Sequence, residues 1–538
     1  MSNPTRVVCL GGGWVSIYFV AQLRHAIRRG LVEVTVVGRD NFHTFHGFIG
    51  EMLVGRLQPT SIINPARRIF PGARFHNAEI EAIDIEGRTV TTSRMLDGKQ
   101  YVLPFDHLLI SLGSIDDLSR YPGIAEHAHR LKTYWDCFKV RNHILSMLEM
   151  AEIEDDPEER RRLLTFVVVG GGYGGIEVAS ELLDFVRQLS KKEYPLLHDN
   201  EARVVVLHSG ARILPELHHH HEPLVSYAEK FLARKGLEIK VNTRIAAATP
   251  EEAVTDSGEH IATRSIISSS GTSLSPLLNT LPFDRDERGR LKTDRYARVI
   301  GTENIWAGGD CAAVPHPKGG TCPPIAVFAQ RTGKIAAKNL LRTIEKRPLK
   351  PFAFAGLGEA CSLGYRRAVA QLWGLRLYGI TAWIMWRSVF LTFVPTWDRR
   401  IRILLDWMLT PIFGRDIVNI RMDEPYGVRQ ELYEPGQAVV RQGEIGKRLY
   451  VIWKGEAEVV RRNGDGEEIL AVLGAGAHFG ETAVFEDVRR TATVRAKTRL
   501  EVISLGQAEA VVLSEAVKPF GEVVRQSRAA PPHSDAPS

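Results

Sequence analysis

The chain has 538 residues, a hydrophobic content of 44% and a net charge of +6. That length leaves room for roughly two to four domains with real cores, while the charge is too mild to argue for a nucleic-acid partner, and none is expected. The five cysteines, Cys9, Cys137, Cys311, Cys322 and Cys361, form no CxxC pair, which argues against a dithiol redox centre or a zinc ribbon and fits a reducing compartment.

In chain order, Arg6–Leu10 reads as the first strand of a fold, so no leader peptide is expected and the location is expected to be cytoplasmic. The strand runs into Gly11-Gly12-Gly13-Trp14-Val15-Ser16, and Ile17–Arg28 then reads as a helix. Gly11 and Gly13 permit a tight turn and let the backbone approach a pyrophosphate at the helix N-terminus; Ser16 takes the third glycine's place. Alone, such a turn serves equally well as a plain strand-to-helix connection. A second copy changes that balance. Phe166–Glu177 carries Gly170, Gly172 and Gly175 in a full GxGxxG after an apolar strand and before a predicted helix, Val178–Leu189. Two such turns predict duplicated dinucleotide folds, one for each of two nucleotides. Further on, Ile305–Asp310 is a short strand ending in Gly-Asp, which in two-nucleotide flavoproteins brings a carboxylate, here Asp310, to the ribityl chain of the flavin.

At these points the sequence resembles the type II, non-proton-pumping NADH:quinone oxidoreductases, over about residues 5–421. Leu109–Ser114, Pro122–Ala128 and Leu131–Thr133 are similar to the family's linker between flavin and NADH domains. Asp286–Leu291 and Ile305–Ala312 are similar to its return to the flavin fold, and Pro348–Phe352 with Gly364–Ala370 to its entry into a C-terminal membrane segment. The resemblance implies FAD held through Gly11, Gly12, Gly13, Ser16, Arg39, Gly113, Asp310 and Ala326. It implies NADH held through Gly170, Gly172, Gly175 and Gly271, with Glu177 close to the nicotinamide as the one catalytic candidate. An acid at Glu177 would equally suit the positive end of a helix dipole.

Three departures from the family stand out. The second strand of each fold usually ends in an acid that bonds a ribose hydroxyl; here Val34–Val37 ends in Gly38, Arg39 and Asp40, and Val204–Leu207 ends in His208. Loss of the second acid removes the group that repels a 2′-phosphate, and His208, Ser209 and Arg212 could attract one, so NADPH stands as a competitor to NADH. On the acceptor side the family carries two glutamines where Pro323–Arg331 has Val327 and Arg331, with Gln330 one place off. A quinone-like acceptor is expected, with a different acceptor as the alternative. Cys322 with Cys137 could serve sulfide oxidation, as in the related sulfide:quinone reductases, but small buried cysteines are the simpler reading.

Leu375–Pro395 is apolar, but Arg376 and Arg387 interrupt it and leave too few residues to span a bilayer. Together with Trp397–Leu409 it reads as helices lying in a membrane interface, with arginines toward anionic headgroups. A buried hairpin or a homodimer contact is the competing reading. After Arg421 and a linker at Met422–Gly427, glycines at 436, 443, 446, 455, 466, 476 and 480 punctuate short β-rich runs, predicting an antiparallel barrel or jelly roll. Phe479–Phe485 with Arg490–Val494 resembles the phosphate cassette of cyclic-nucleotide-binding domains, supported by Tyr433–Gly436 and Leu449–Gly455, over about 428–515. The resemblance implies a ligand held by Gly480, Glu481, Arg490, Thr491 and Ala492. Arg490 would grip the cyclic phosphate and Glu481 the ribose 2′-hydroxyl. Of the two cyclic nucleotides cAMP is the expected one, with cGMP open because of Thr491.

The expected class is therefore α/β. An FAD-binding domain spans 1–160 and 295–350, an NAD(P)H-binding domain 161–294, a membrane-surface helical segment 351–421, a cyclic-nucleotide domain 428–525 and a disordered tail 526–538. The expected function is an FAD-dependent NAD(P)H dehydrogenase at the cytoplasmic face of a membrane, regulated by a cyclic nucleotide. A flavin-bearing nucleotide sensor with little turnover is the alternative. His218–His221 is expected in a solvated loop, and no metal site is expected.

Overall fold

The computed structural model describes residues 3–95, 97–118, 121–198, 201–372, 374–420, 429–444, 448–463, 466–481, 490–506 and 509–510. Several expected features lie outside the described residues: Trp373, the linker Met422–Gly427, the cassette residues Thr482–Phe485, Gly446, and the tail with Pro519.

The first dinucleotide fold is built on a seven-stranded sheet. Its order is Ile305–Ala307, His107–Ile110, Thr5–Leu10, Val32–Gly38, Arg74–Asp84, Thr89–Arg94 and Gln100–Pro104. The first five run parallel and the last two are an antiparallel extension. Near-continuous apolar runs such as Val7–Leu10, buried on both faces, are what a parallel sheet covered by helices requires. The helix Trp14–Arg28 packs on Ala326–Ile344. Gly333 makes that packing close, since a Cβ there would collide with the Val15 carbonyl.

The second fold is a five-stranded parallel sheet in the order Ala128–Arg130, Ser265–Ser268, Thr165–Val169, Arg203–Leu207 and Glu238–Lys240. Ala128–Arg130 lies upstream of the boundary expected at 160, because the edge of Ser265–Ser268 needs a partner and the linker supplies it. Leu118 and Ile124 accordingly pack into the core of this second fold. The helix Tyr134–Glu152 follows, opened by a reciprocal cap between Thr133 and Asp136. The four histidines expected in a loop instead lie within the helix Pro215–Lys235. Pro215 opens it, and Leu217, Leu224, Val225, Ala228 and Leu232 bury one face; the kink falls at His221, two residues before Pro223.

The segment 351–421 is not all helical as expected. Gly358–Ser362, Ala368–Leu372 and Leu375–Tyr378 form an antiparallel sheet, turned at Gly364 in the left-handed region (φ +98). Only then come the helices Gly379–Phe393 and Trp397–Phe413. Among the described residues no helix is long and apolar enough to cross a membrane.

The C-terminal module consists of two four-stranded antiparallel sheets around its own core, which includes Tyr433, Tyr450, Ile452, Phe479 and Val502. Among the described residues it touches the second fold through polar contacts that include the following. Arg441 Nη2 donates to Glu251 Oε1 at 2.6 Å, Gln437 Nε2 to Thr249 Oγ1 at 2.9 Å, and His127 Nε2 lies 3.1 Å from the Leu432 carbonyl.

Candidate cofactor and ligand sites

The first Gly-rich turn owes its shape to two close approaches. Gly11 has φ +99, and a Cβ there would overlap the Ser111 carbonyl oxygen. Ser16 Oγ lies 2.9 Å from Ser111 Oγ, which in turn donates to the Leu10 carbonyl at 2.9 Å. The serine in the third glycine's place is thus the packing residue expected of it. Gly13 caps the helix, and open space lies where its Cβ would be, as at Gly113. Asp310 sits in the short turn Gly309–Cys311, and its Oδ2 accepts from Ser114 Oγ at 2.8 Å. Lys132 Nζ donates to the same hydroxyl at 2.8 Å. A cleft of about 600 Å³ is lined by Ser114, Lys132, Asp310 and Arg290. Ala326 is exposed at the start of its helix.

Arg39 stands apart from this group, at the end of its strand, where Nη2 donates to Glu79 Oε1 at 2.7 Å. Glu79 brings an acid to that strand end from a neighbouring strand, where reading along one strand could not find it. Ser111, Ser114 and Lys132 were also missed as individual residues, although the blocks containing them carry the family likeness.

In the second fold Gly170 has φ +115, and a Cβ on Gly175 would overlap the Gly170 carbonyl. Helix and strand therefore meet where the third glycine of the fingerprint is needed. Gly172 is the N-cap of the helix Tyr173–Lys192. Gly271 (φ +89) accepts from the Asp117 N–H at 2.6 Å. His208 lies under the turn, its Nδ1 accepting from the Gly171 N–H at 3.2 Å, and its buried Nε2 has no hydrogen-bond partner. Arg212 is held by acids: Nη2 donates to Glu229 Oε2 at 2.6 Å and Nη1 to Glu222 Oε1 at 3.0 Å.

Glu177 is turned toward the C-terminal sheet of the oxidoreductase part, formed by Gly358–Ser362, Ala368–Leu372 and Leu375–Tyr378. Its Oε1 accepts from the Ser362 N–H at 3.0 Å. Burial pushes its carboxyl up to about 8; the Ser362 hydrogen bond opposes that shift, and Glu181 and Glu51 add to it. On the acceptor side Gln330 is buried with Nε2 unpartnered, while the Arg331 guanidinium lies 5.0 Å from the centre of the Phe354 ring. Cys137 and Cys322 fall in different cores, and burial pushes the Cys322 thiol up to about 11, away from a reactive thiolate.

In the C-terminal module Arg490 is buried, its Nη1 donating to the Gly480 carbonyl at 2.8 Å and Nη2 to the Arg448 carbonyl at 2.7 Å. Glu481 Oε2 is buried without a hydrogen-bond partner, an unsatisfied acceptor beside a buried cation. Ala492 is half-buried and Thr491 exposed.

Two Gly-rich turns, each on its own dinucleotide-type sheet, and a Gly-Asp turn at the first define a two-nucleotide oxidoreductase with an antiparallel β module appended. Residues 5–333 match the model of the pyridine nucleotide-disulphide oxidoreductase family, and the chain belongs to that family. Residues 357–416 match the NDH2 C-terminal domain and residues 430–513 the cyclic nucleotide-binding domain. The chain is similar to a probable NADH dehydrogenase of Dictyostelium discoideum, 30% identical over 418 residues, covering 77% of this chain and 90% of that protein. It is also similar to a demethylphylloquinone reductase of Synechocystis, 28% identical, covering 76% and 96%. In fold it is similar to NDH2 of Plasmodium falciparum solved in complex with NADH, with a TM-score of 0.70, 18% identity, and 77% and 99% of the two chains covered.

Proposed function

We propose that the protein is an FAD-dependent NAD(P)H:quinone oxidoreductase of the non-proton-pumping type, working at a membrane surface and tuned by a cyclic nucleotide. The observation that carries the redox reading is the pairing of two glycine cradles with the Asp310–Ser114–Lys132 chain. The first cradle fits FAD: Gly11 lies against Ser111 so closely that a side chain is excluded, while Gly13 and Gly113 leave open space. When bound, FAD supplies the two-electron relay between nicotinamide and quinone.

The chain's own groups do the rest. The helix beginning at Trp14 turns its free N–H groups toward one pyrophosphate and the helix beginning at Tyr173 toward the other. Asp310 offers a carboxylate to the ribityl hydroxyls, held in place by Ser114. Glu177, neutral through most of the physiological range, holds a proton at the seam between the second fold and the C-terminal sheet. NADH is the favoured donor, because Glu229 and Glu222 already neutralise the arginine that a 2′-phosphate would need. In the C-terminal module Arg490 and Glu481 are the phosphate and ribose contacts.

The test is direct. Purified protein should release FAD on denaturation and reduce a soluble quinone with NADH faster than with NADPH. Bound flavin without turnover would favour the nucleotide-sensor alternative, which Val327 and Arg331 on the acceptor side keep open.

A further inference from the structure

A second cleft of about 600 Å³ lies at the far end of the helix Tyr173–Lys192, and none of its lining residues belongs to either glycine cradle. Five cationic side chains, Arg56, Lys192, Arg366, Arg387 and Arg415, line it against one acid, Glu193. Two of the cations are answered from behind: Arg387 by Glu51 at 2.7 Å and Arg56 by Glu181 at 3.3 Å. Arg366 lies on the ring of Tyr365, and Arg415 donates to the neutral Gln188 amide at 2.6 Å. Neither has a carboxylate within ion-pair reach among the described residues. Arg56 is 4% exposed; its Nη2 faces Glu181, while its Nη1 has neither a carboxylate nor a hydrogen-bond acceptor beside it. A buried guanidinium donor without an acceptor, at the wall of a cationic cleft, suits an oxyanion.

The rim of the cleft says which oxyanion. The helix Trp397–Phe413 closes one side, and its exposed residues are apolar apart from Arg402. Trp397, Ile401, Met408, Ile412 and Phe413 are 75%, 54%, 67%, 72% and 80% exposed. Ile412 and Phe413 themselves line the cleft. A free phosphate would use the cations and leave this apolar stripe in water. An anionic phospholipid uses both, with the headgroup phosphate among the arginines and its chains along the stripe.

We propose that this cleft binds the headgroup phosphate of an anionic phospholipid, with the apolar face of Trp397–Phe413 lying against the acyl chains. The proposal rests on the membrane-surface reading and adds a stereospecific site to it.

Flotation of the full-length, flavin-loaded protein on vesicles of phosphatidylcholine, with and without phosphatidylglycerol, tests both. Wild type should prefer the anionic vesicles. Arg366→Gln should lower that binding about tenfold, while Arg402→Gln, the same loss of charge on the exposed helix but outside the cleft, should lower it less than about twofold. Both variants should keep their flavin and their binding to phosphatidylcholine. Equal losses in the two variants would reduce the cations to diffuse attraction and overturn the site.

Soluble dihexanoyl-phosphatidylglycerol and inorganic phosphate, titrated against the fluorescence of Trp383 and Trp407, identify the ligand. A saturable change with the lipid supports the proposal even if vesicle binding fails, in which case only the membrane-surface reading falls. An equal response to inorganic phosphate, with no preference for anionic vesicles, would make the cleft a free-anion site and overturn the lipid assignment.

Discussion

The Glu177 carboxylate accepts a 3.0 Å hydrogen bond from the Ser362 N–H, so a side chain on the second fingerprint helix ties down the first strand of the C-terminal sheet. One residue thereby joins the second dinucleotide fold to the segment carrying the apolar helices. Burial is the main reason its carboxyl titrates at about 8 rather than in the ordinary range. An acid whose pKa is higher folded than unfolded binds more protons in the folded state. Its contribution is therefore fully present at low pH and is lost as pH rises toward the folded value. Relative to Glu177→Gln, which keeps an acceptor for Ser362 but cannot ionise, wild type should lose stability between about pH 5 and about pH 8. Thermal melts of both proteins across that range measure it. Parallel pH profiles would return Glu177 to an ordinary carboxylate.

Asp310 accepts from Ser114 while Ser114 accepts from Lys132, a chain that fixes the carboxylate's direction. Asp310→Ala removes an acceptor for the ribityl hydroxyls and leaves Ser114 and Lys132 to water. The Kd for FAD should rise by on the order of tenfold, equivalent to ~1.4 kcal/mol, and flavin occupancy after purification should fall. Ser114→Ala should cost less, because the carboxylate remains. Absorbance of flavin against protein reads both, and full occupancy in Asp310→Ala would remove the role assigned to it.

The two parallel sheets were legible because their signals are local: an apolar run, a Gly-rich turn and a helix in immediate succession. The strand Ala128–Arg130 was not, since its pairing with Ser265–Ser268 closes a long loop that no local pattern records. The sheet at 358–378 was hidden by its tryptophan- and arginine-rich neighbours, which draw the eye to helical spacing. In the site, positions set by backbone geometry, Gly11, Gly170 and Gly175, were read from sequence. Partners contributed by other strands, such as Glu79 to Arg39, became visible only once the sheet brought them together.

His208 and Arg212 follow the second strand of the second fold, where one supports the turn through Gly171 and the other is paired with Glu229 and Glu222. Arg212 is therefore not free for a 2′-phosphate. His208→Glu should raise the NADH-to-NADPH ratio of kcat/KM by about tenfold, ~1.4 kcal/mol, because a carboxylate bonds ribose hydroxyls and repels phosphate. Glu229→Gln with Glu222→Gln should move the ratio the other way by freeing Arg212. Steady-state kinetics with both nucleotides decides, and a ratio unmoved by either change would place the ribose elsewhere.

The proposed regulation would have a short physical route. Arg490 shares backbone hydrogen bonds with the segment 443–444: the Gly443 N–H donates to its carbonyl at 2.8 Å, and its own N–H donates to the Glu444 carbonyl at 2.8 Å. Two residues before Gly443, Arg441 grips Glu251 on the second dinucleotide fold at 2.6 Å. A nucleotide drawn to Arg490 and Glu481 therefore acts on a strand end that also makes the domain contact. It alters turnover to the extent that it binds the two arrangements unequally, with typical couplings of ~1–3 kcal/mol, roughly 5- to 150-fold. Arg490→Ala should abolish binding of cAMP and cGMP by calorimetry, since a buried phosphate would be left uncompensated. Glu481→Gln should weaken it without disturbing the Gly480 and Arg448 carbonyls that Arg490 holds. Arg441→Gln should retain binding and lose the effect on NADH:quinone turnover. Glu251 keeps Arg264 at 3.6 Å, so the variant leaves no carboxylate stranded. A nucleotide that still changes turnover in Arg441→Gln would move the coupling to another contact, and one that binds wild type without changing turnover would make the module a sensor for something other than the redox site.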